Sequence, residues 1–320
     1  DRVYLIGGVA AVVVIGNTVD GGWSSILTAA DAQGKLRIID TYTGFDRPHT
    51  IWAGLIGGMF LSMASHGVDQ LIVQRLLASG NLTEARRSLI GSGFVVLAQF
   101  ALFLVIGVGL HAFYGGEVFP RPDAIFPRFI VDEMPPVLTG LVIAAILAAA
   151  MSTVSGALNS LAAASVHDLY LPMSGKRSDD PSLLRISKAF TLIWAAVLIG
   201  GAMLYRNEGT PVVTIALSIA SFTYGGLLGA FFLGILLKRA VQRDALIGMA
   251  VGISTMSVVV FAKALSGWFP ELASTLAPVA RIAWPWYVLI GTTITFVTGL
   301  LSSLTHAAPK ALQSPLGPRT

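Results

Sequence analysis

Ala149-Ala150-Met151-Ser152-Thr153-Val154-Ser155-Gly156-Ala157-Leu158-Asn159-Ser160 is the stretch whose reading decides the fold. It sits inside Val137 to Tyr170, an apolar run long enough to cross a bilayer; a spanning helix needs about 20 residues at about 1.5 Å of rise each. Ser152, Ser155 and Asn159 stand at i, i+3 and i+7 and share one helical face. Thr153 lies beside that face, about 100° round the helix. A lipid-facing helix has no use for such a stripe. Small residues and hydroxyls pack helices against one another in membranes, and they can also line an ion path. Taken alone, these twelve residues leave both uses open.

The rest of the chain fits a polytopic membrane protein. Its 320 residues are 54% hydrophobic and only 12% charged, where soluble domains carry about 25% charged residues. There is no cysteine, which excludes disulfides and thiolate metal sites. The net charge of +4 is no nucleic-acid signal, because the basic residues cluster in particular loops. The chain starts at Asp1, without Met, directly before an apolar run. No signal peptide is recognisable, and the expectation is the C-terminal part of a longer protein whose N-terminal helices are missing.

Working outward, the hydropathy pattern predicts eight spans, at about 3–18, 50–78, 88–114, 137–166, 186–205, 212–237, 245–265 and 285–304. All fifteen prolines fall in loops or at span ends, as at Pro136, Pro211 and Pro285. This supports the boundaries, since proline inside a helix costs about 3 kcal/mol. Between the first two spans lies a polar segment, Asp20 to His49, with a short surface helix expected over Trp23 to Leu36. Loop charges alternate. Arg75, Arg86 and Arg87 follow the second span, Lys176, Arg177, Arg185 and Lys188 the fourth, and Lys238, Arg239 and Arg243 the sixth. In the intervening loops Glu117, Asp123, Asp132 and Glu133 outweigh Arg121 and Arg128, and Glu208 meets Arg206. By the positive-inside rule the basic loops are cytoplasmic. Eight spans then put both ends of the chain, the C-terminal tail included, on that side.

The second span is interrupted by Ser65-His66-Gly67-Val68-Asp69-Gln70. Asp69 is the carboxylate placed well inside a span, where an acid is expensive and is usually functional. Gly67 beside polar side chains predicts a broken helix. Its freed backbone groups are tolerated at depth only where protein or water satisfies them, and such breaks mark binding sites in transporters. Asp69 can equally cap the lower half-helix, and the two roles are compatible. His66, three residues earlier, can pair with Asp69 or relay protons. Gln99 lies midway along the third span. Tyr224 precedes Gly225-Gly226, a pair that allows a bend or close packing. No phosphate loop, nucleophile elbow, zinc helix or acidic metal cluster appears, so no enzyme and no catalytic or cofactor-binding residue is expected. Neutral oxygens suit a hard monovalent cation such as Na⁺, without the charge a divalent ion demands.

Ser65 through Arg75, then Ala149-Ala150-Met151-Ser152-Thr153 through Leu158-Asn159-Ser160 to Asp168-Leu169-Tyr170, resemble the sodium:solute symporter family, over nearly the whole chain from about Val3 to Leu304. The resemblance implies an all-α, leucine-transporter-like inverted-repeat fold within a single transporter domain, 1–320. The first span would be the fifth core helix, spans two to six core helices six to ten (core at about 3–237), and 245–265 and 285–304 peripheral. It also implies a sodium site on the eighth core helix, from the Ala149 carbonyl and the Ser152 and Thr153 hydroxyls, with its other half on helices outside this chain. A substrate cavity would draw on His66, Asp69, Gln70, Gln99 and Tyr224. Some members carry hydroxyls at the positions of both Ser155 and Gly156 for a second sodium. Gly156 lacks one, leaving Ser155 alone. Asp69-Gln70-Leu71 departs from the pattern of the sugar carriers, which argues against a sugar.

The function this implies is sodium-coupled symport of a small organic solute by alternating access, with Na⁺ as coupling ion, in the inner membrane of a bacterium. Proton-coupled transport through His66 and Asp69 is one alternative. The other is a transporter-like membrane sensor, against which the tail after Leu304 offers no signalling domain.

Overall fold

The structure is a computed structural model and describes residues 2–117, 119–177, 180–204 and 211–307. Arg206 and Glu208, used above for one loop's charge, lie outside the described residues, as do Asp1 and the tail beyond Ala307. Among the described residues there is no β-strand.

The helices are α1 (Arg2–Thr18), α2 (Gly22–Ala32), α3 (Gly58–Gly67), α4 (Gln70–Leu77), α5 (Leu82–Phe113), α6 (Ile125–Asp132), α7 (Pro136–Ala164), α8 (Leu171–Ser174), α9 (Leu183–Leu204), α10 (Val212–Leu236), α11 (Gln242–Val260), α12 (Ala262–Trp268), α13 (Ala273–Leu276) and α14 (Tyr287–Leu304). α7 passes into α8 through a more widely wound turn, Ser165–Tyr170. Among the described residues six segments are singly long and apolar enough to cross a membrane. They are α5, α7 with α8, α9, α10, α11 and Trp284–Leu304, and α1 with α2 makes a seventh if counted as one bent span.

The expected eight differ at two places. α1 is only 17 residues long, and the chain turns by 89° into α2. Gly21 and Gly22 make that corner with φ of 79° and 59°, a left-handed conformation that glycine adopts without strain. α2 is the short helix expected over Trp23 to Leu36, ending a little earlier. The second predicted span is divided into a wide turn (Ala53–Gly57), α3 and α4.

The chain falls into two compact units, Asp1–Leu36 with Leu89–Pro211, and Arg37–Ser88 with Val212–Thr320. The first has a core of Ala11, Ile15, Ile26, Ile106, Leu110, Phe129 and Ile130, drawn from α1, α2, α5 and α6. The Trp23 indole donates to the Val12 carbonyl at 3.1 Å, so the bend is tied back onto α1. The Thr139 hydroxyl donates to the Ile130 carbonyl at 2.9 Å and joins α7 to α6. The Trp194 indole on α9 donates to the Ser165 hydroxyl at 2.9 Å.

The second unit is built on close backbone approach. A Cβ on Gly225 would lie 2.8 Å from the Gly291 Cα, and one on Gly229 2.8 Å from the Thr292 carbonyl oxygen. Leu233 packs on Gly299 in the same way. The matched steps of four residues mean that α10 and α14 run parallel. α11 runs antiparallel to α14, with Gly248 against Thr295 and Gly299, and Gly252 against Thr295 and Gly291. Where lipid tails remove the hydrophobic drive between helices, small residues gain dispersion energy by letting backbones touch. This bundle is the platform for the broken helix, since Ala64 of α3 packs on Leu228 and Val288.

Candidate functional site

The α7 stripe lies in the first unit. Ser152, Thr153, Ser155, Gly156 and Asn159 are exposed within that unit, and a Cβ on Gly156 would meet nothing within 4 Å. The Thr153 hydroxyl donates to the Ala149 carbonyl at 3.0 Å, the back-bond that Ser and Thr make one turn down a helix. Two of the three oxygens assigned to sodium are thus already side by side, and the hydroxyl keeps its lone pairs. The hydroxyls of Ser152 and Ser155 make no hydrogen bond among the described residues. No group of three His, Cys, Asp or Glu able to hold a metal occurs among those residues either. The donors on α7 are therefore neutral, and they fit a monovalent hard cation better than a divalent one.

The break in the second predicted span lies in the second unit. α3 ends at Gly67, and the amides of Val68 and Asp69 both turn back to the Ala64 carbonyl, at 3.0 and 3.2 Å. Val68 has φ −127° and ψ −11°, outside the helical region. Asp69 stands just before α4 and its carbonyl accepts the Val73 amide at 2.9 Å, which starts the next helix. The Tyr224 hydroxyl on α10 donates to the Asp69 carboxylate at 2.6 Å. Of the five residues expected around a cavity, Asp69 and Tyr224 are brought into contact. His66 and Gln70 flank the break. The His66 ring Nδ1 lies 2.8 Å from the Ser65 hydroxyl and 3.1 Å from the Ser62 carbonyl, bonds within its own turn. Gln70 is exposed and Gln99 is partly buried on α5 in the other unit; neither side-chain amide has a hydrogen bond among the described residues.

α10 is one continuous helix across Gly225-Gly226, so the pair serves close packing rather than a bend. Asp244 went unread in the sequence, where it passes as one more loop charge beside Arg243. It is fully buried and bonded to Val241, Ser302 and His306. Its position three residues after Val241, the residue that precedes α11, is the acidic place of a capping box, which was the legible signal.

A helical, multi-pass architecture with an acid at a helix break and a neutral-oxygen face elsewhere is the arrangement that membrane transporters use for binding sites. Residues 5–252 match the model of the sodium:solute symporter family, well over half of the chain, and the chain belongs to that family. It is similar to the sodium/sialic acid symporter NanT of Aliivibrio fischeri, 29% identical over 82% of this chain and 53% of that one. It is 31% identical to human sodium-coupled monocarboxylate transporter 1 over 78% of this chain and 42% of the other. A solved Na⁺-coupled sialic acid symporter, described as a substrate-bound outward-open state with a novel Na⁺ site, superposes with a TM-score of 0.73 at 26% identity, over 97% of this chain and 61% of that one. The chain thus spans about half the length of the curated relatives it matches. The fold is the leucine-transporter-like class expected, and the relatives are transporters rather than enzymes. The proton-coupled alternative is corrected by these relatives, which are sodium-coupled by name.

Proposed function

We propose that this chain forms part of a sodium-coupled symporter for a small organic solute, acting by alternating access. The observation that carries this reading is the exposed oxygen face of α7 in a member of the sodium:solute symporter family, with the Thr153 hydroxyl 3.0 Å from the Ala149 carbonyl. In this reading Ala149, Ser152 and Thr153 supply part of the sodium shell, and the remaining ligands come from helices that this chain does not contain. Ser155 belongs to a second sodium site only in part, for want of a hydroxyl at Gly156. The solute binds at the α3–α4 break, bordered by His66, Asp69, Gln70 and Tyr224. Residues 1–320 act as one transporter domain, with α11 and α14 peripheral to the core. Ion binding favours the outward-open state and solute binding permits the switch, because each ligand shifts the equilibrium by its preference for one conformation. The alternating loop charges support a cytoplasmic C-terminus, and the bacterial relatives support a bacterial inner membrane.

The test is the melting temperature of the full-length transporter in detergent against Na⁺, with K⁺ or choline at equal ionic strength. A ligand at a hundredfold excess over its Kd stabilises the folded state by about 2.7 kcal/mol. A Na⁺-specific rise is expected, and it should vanish in Ser152→Ala/Thr153→Ala. Equal melting in all three salts would overturn the reading.

A further inference from the structure

At one end of the second unit, away from the α3–α4 break in sequence, four polar groups close on one another. The Asp244 side chain is fully buried. One of its oxygens accepts the Val241 amide at 2.9 Å, and the other accepts the Ser302 hydroxyl at 2.7 Å. The His306 Nε2 lies 3.1 and 3.0 Å from the same two oxygens. The other ring nitrogen, Nδ1, lies 3.0 Å from the Ala307 carbonyl oxygen. Arg239, on the turn between α10 and α11, donates from Nη2 to the His306 carbonyl at 3.0 Å.

Both ring nitrogens of His306 therefore face acceptors, a carboxylate on one side and a peptide carbonyl on the other. A neutral imidazole has one N–H and one bare lone pair. It can satisfy Asp244 or Ala307, and sets lone pair against lone pair at the remaining contact. Only the imidazolium donates at both. We propose that Asp244, His306 and Arg239 form a proton-operated clasp, which holds the backbone at His306–Ala307 against the α10–α11 turn when His306 is protonated and releases Ala307 when it is not.

The charges around His306 fit a device that closes with a proton. Asp244 comes from α11 and Arg239 from the preceding turn, while α14 contributes the neutral Ser302. Lys238 and Arg243 flank the turn but are exposed. His306 binds its proton more tightly than an ordinary imidazole, first through the bond to the Ala307 carbonyl and then through Asp244, against the weaker opposition of burial and Arg239. Since the folded form holds the proton more tightly than the unfolded chain, the clasp's contribution is complete below the ordinary histidine pKa, about 6.5. It is lost as pH rises through the folded value.

Histidine-selective ¹³C/¹⁵N NMR of the full-length transporter in nanodiscs reads this directly, with the His306 signal assigned by its absence in His306→Gln. The expected result is an imidazolium ¹⁵N pattern whose midpoint lies above 6.5 and falls by about one unit or more in Asp244→Asn, the size of effect one close opposite charge exerts. The asparagine side-chain carbonyl can still accept the Val241 amide, so that variant should fold. Hydrogen exchange at 239–241 and 305–307, corrected for its intrinsic pH dependence, should lose protection at the same midpoint in wild type and show no such step in His306→Gln. A wild-type midpoint at or below 6.5, or protection that does not change with His306 ionisation, would overturn the clasp.

Discussion

Two faces of this molecule are written in nearly the same residues and are used differently. On α10 and α14, Gly225, Gly229, Thr292, Thr295 and Gly299 close on one another and on α11 until a Cβ would strike backbone. On α7, Ala149, Ser152, Thr153, Ser155 and Gly156 make a similar alternation of small and hydroxyl side chains, yet Gly156 has open space and the hydroxyls are exposed within their unit. Composition alone cannot separate helix glue from ligand. What separates them is whether another backbone already occupies the groove. In the first case the hydroxyls are sealed in, and those of Thr292 and Thr295 have no hydrogen-bond partner among the described residues. In the second they remain free to meet an ion.

The comparison breaks most visibly at the glycines. Gly248→Val places methyls against the Thr295 carbonyl and the Gly299 amide, backbone atoms that cannot swing aside. Overpacking of this kind costs about 3 kcal/mol. Gly156→Ala meets nothing, and gains up to about 1 kcal/mol of helix propensity. Thermal unfolding of the two full-length variants should move in opposite directions. A loss at Gly156 equal to that at Gly248 would mean that the α7 face is packed as tightly in the whole protein.

The next effect concerns the break. Asp69→Asn and Tyr224→Phe each remove part of a hydrogen bond to a charged group, an interaction of about 2 kcal/mol. In a double-mutant cycle the pair should show a coupling of about 1 kcal/mol or more in stability, while sodium-dependent uptake falls in both single variants. Additive behaviour in stability would mean that the 2.6 Å contact carries no coupling energy.

The positions of the helices were legible in the sequence because twenty-odd apolar residues between charged or proline-bearing loops have few other uses. The break was legible too, since Gly67 and Asp69 oppose a continuous helix in lipid. The contact between Asp69 and Tyr224 was not. Each residue could be singled out as polar and deep, but only the fold brings together positions 155 apart in sequence. The bend after α1 was hidden because Gly21-Gly22 reads as a loop of any angle. Asp244 was missed because its burial depends on α14 and His306 arriving from some sixty residues downstream.

The smallest expected effect is the sharpest test of glue against ligand, and it is made without sodium. Ser165, on the continuation of α7, is buried; it donates to the Leu161 carbonyl at 2.8 Å and accepts the Trp194 indole N–H at 2.9 Å. Ser165→Ala leaves that indole unpaired and should lower stability by about 1 kcal/mol, whatever cation is present. Ser152 and Thr153 are exposed within their unit and make no side-chain hydrogen bond to another helix among the described residues. In choline medium Ser152→Ala/Thr153→Ala should therefore melt as wild type does, within about 0.5 kcal/mol, and differ from it only once Na⁺ is added. If the double variant is already weakened in choline to the same degree as Ser165→Ala, then α7's hydroxyls bind helices and not the ion, and the two faces have one use after all.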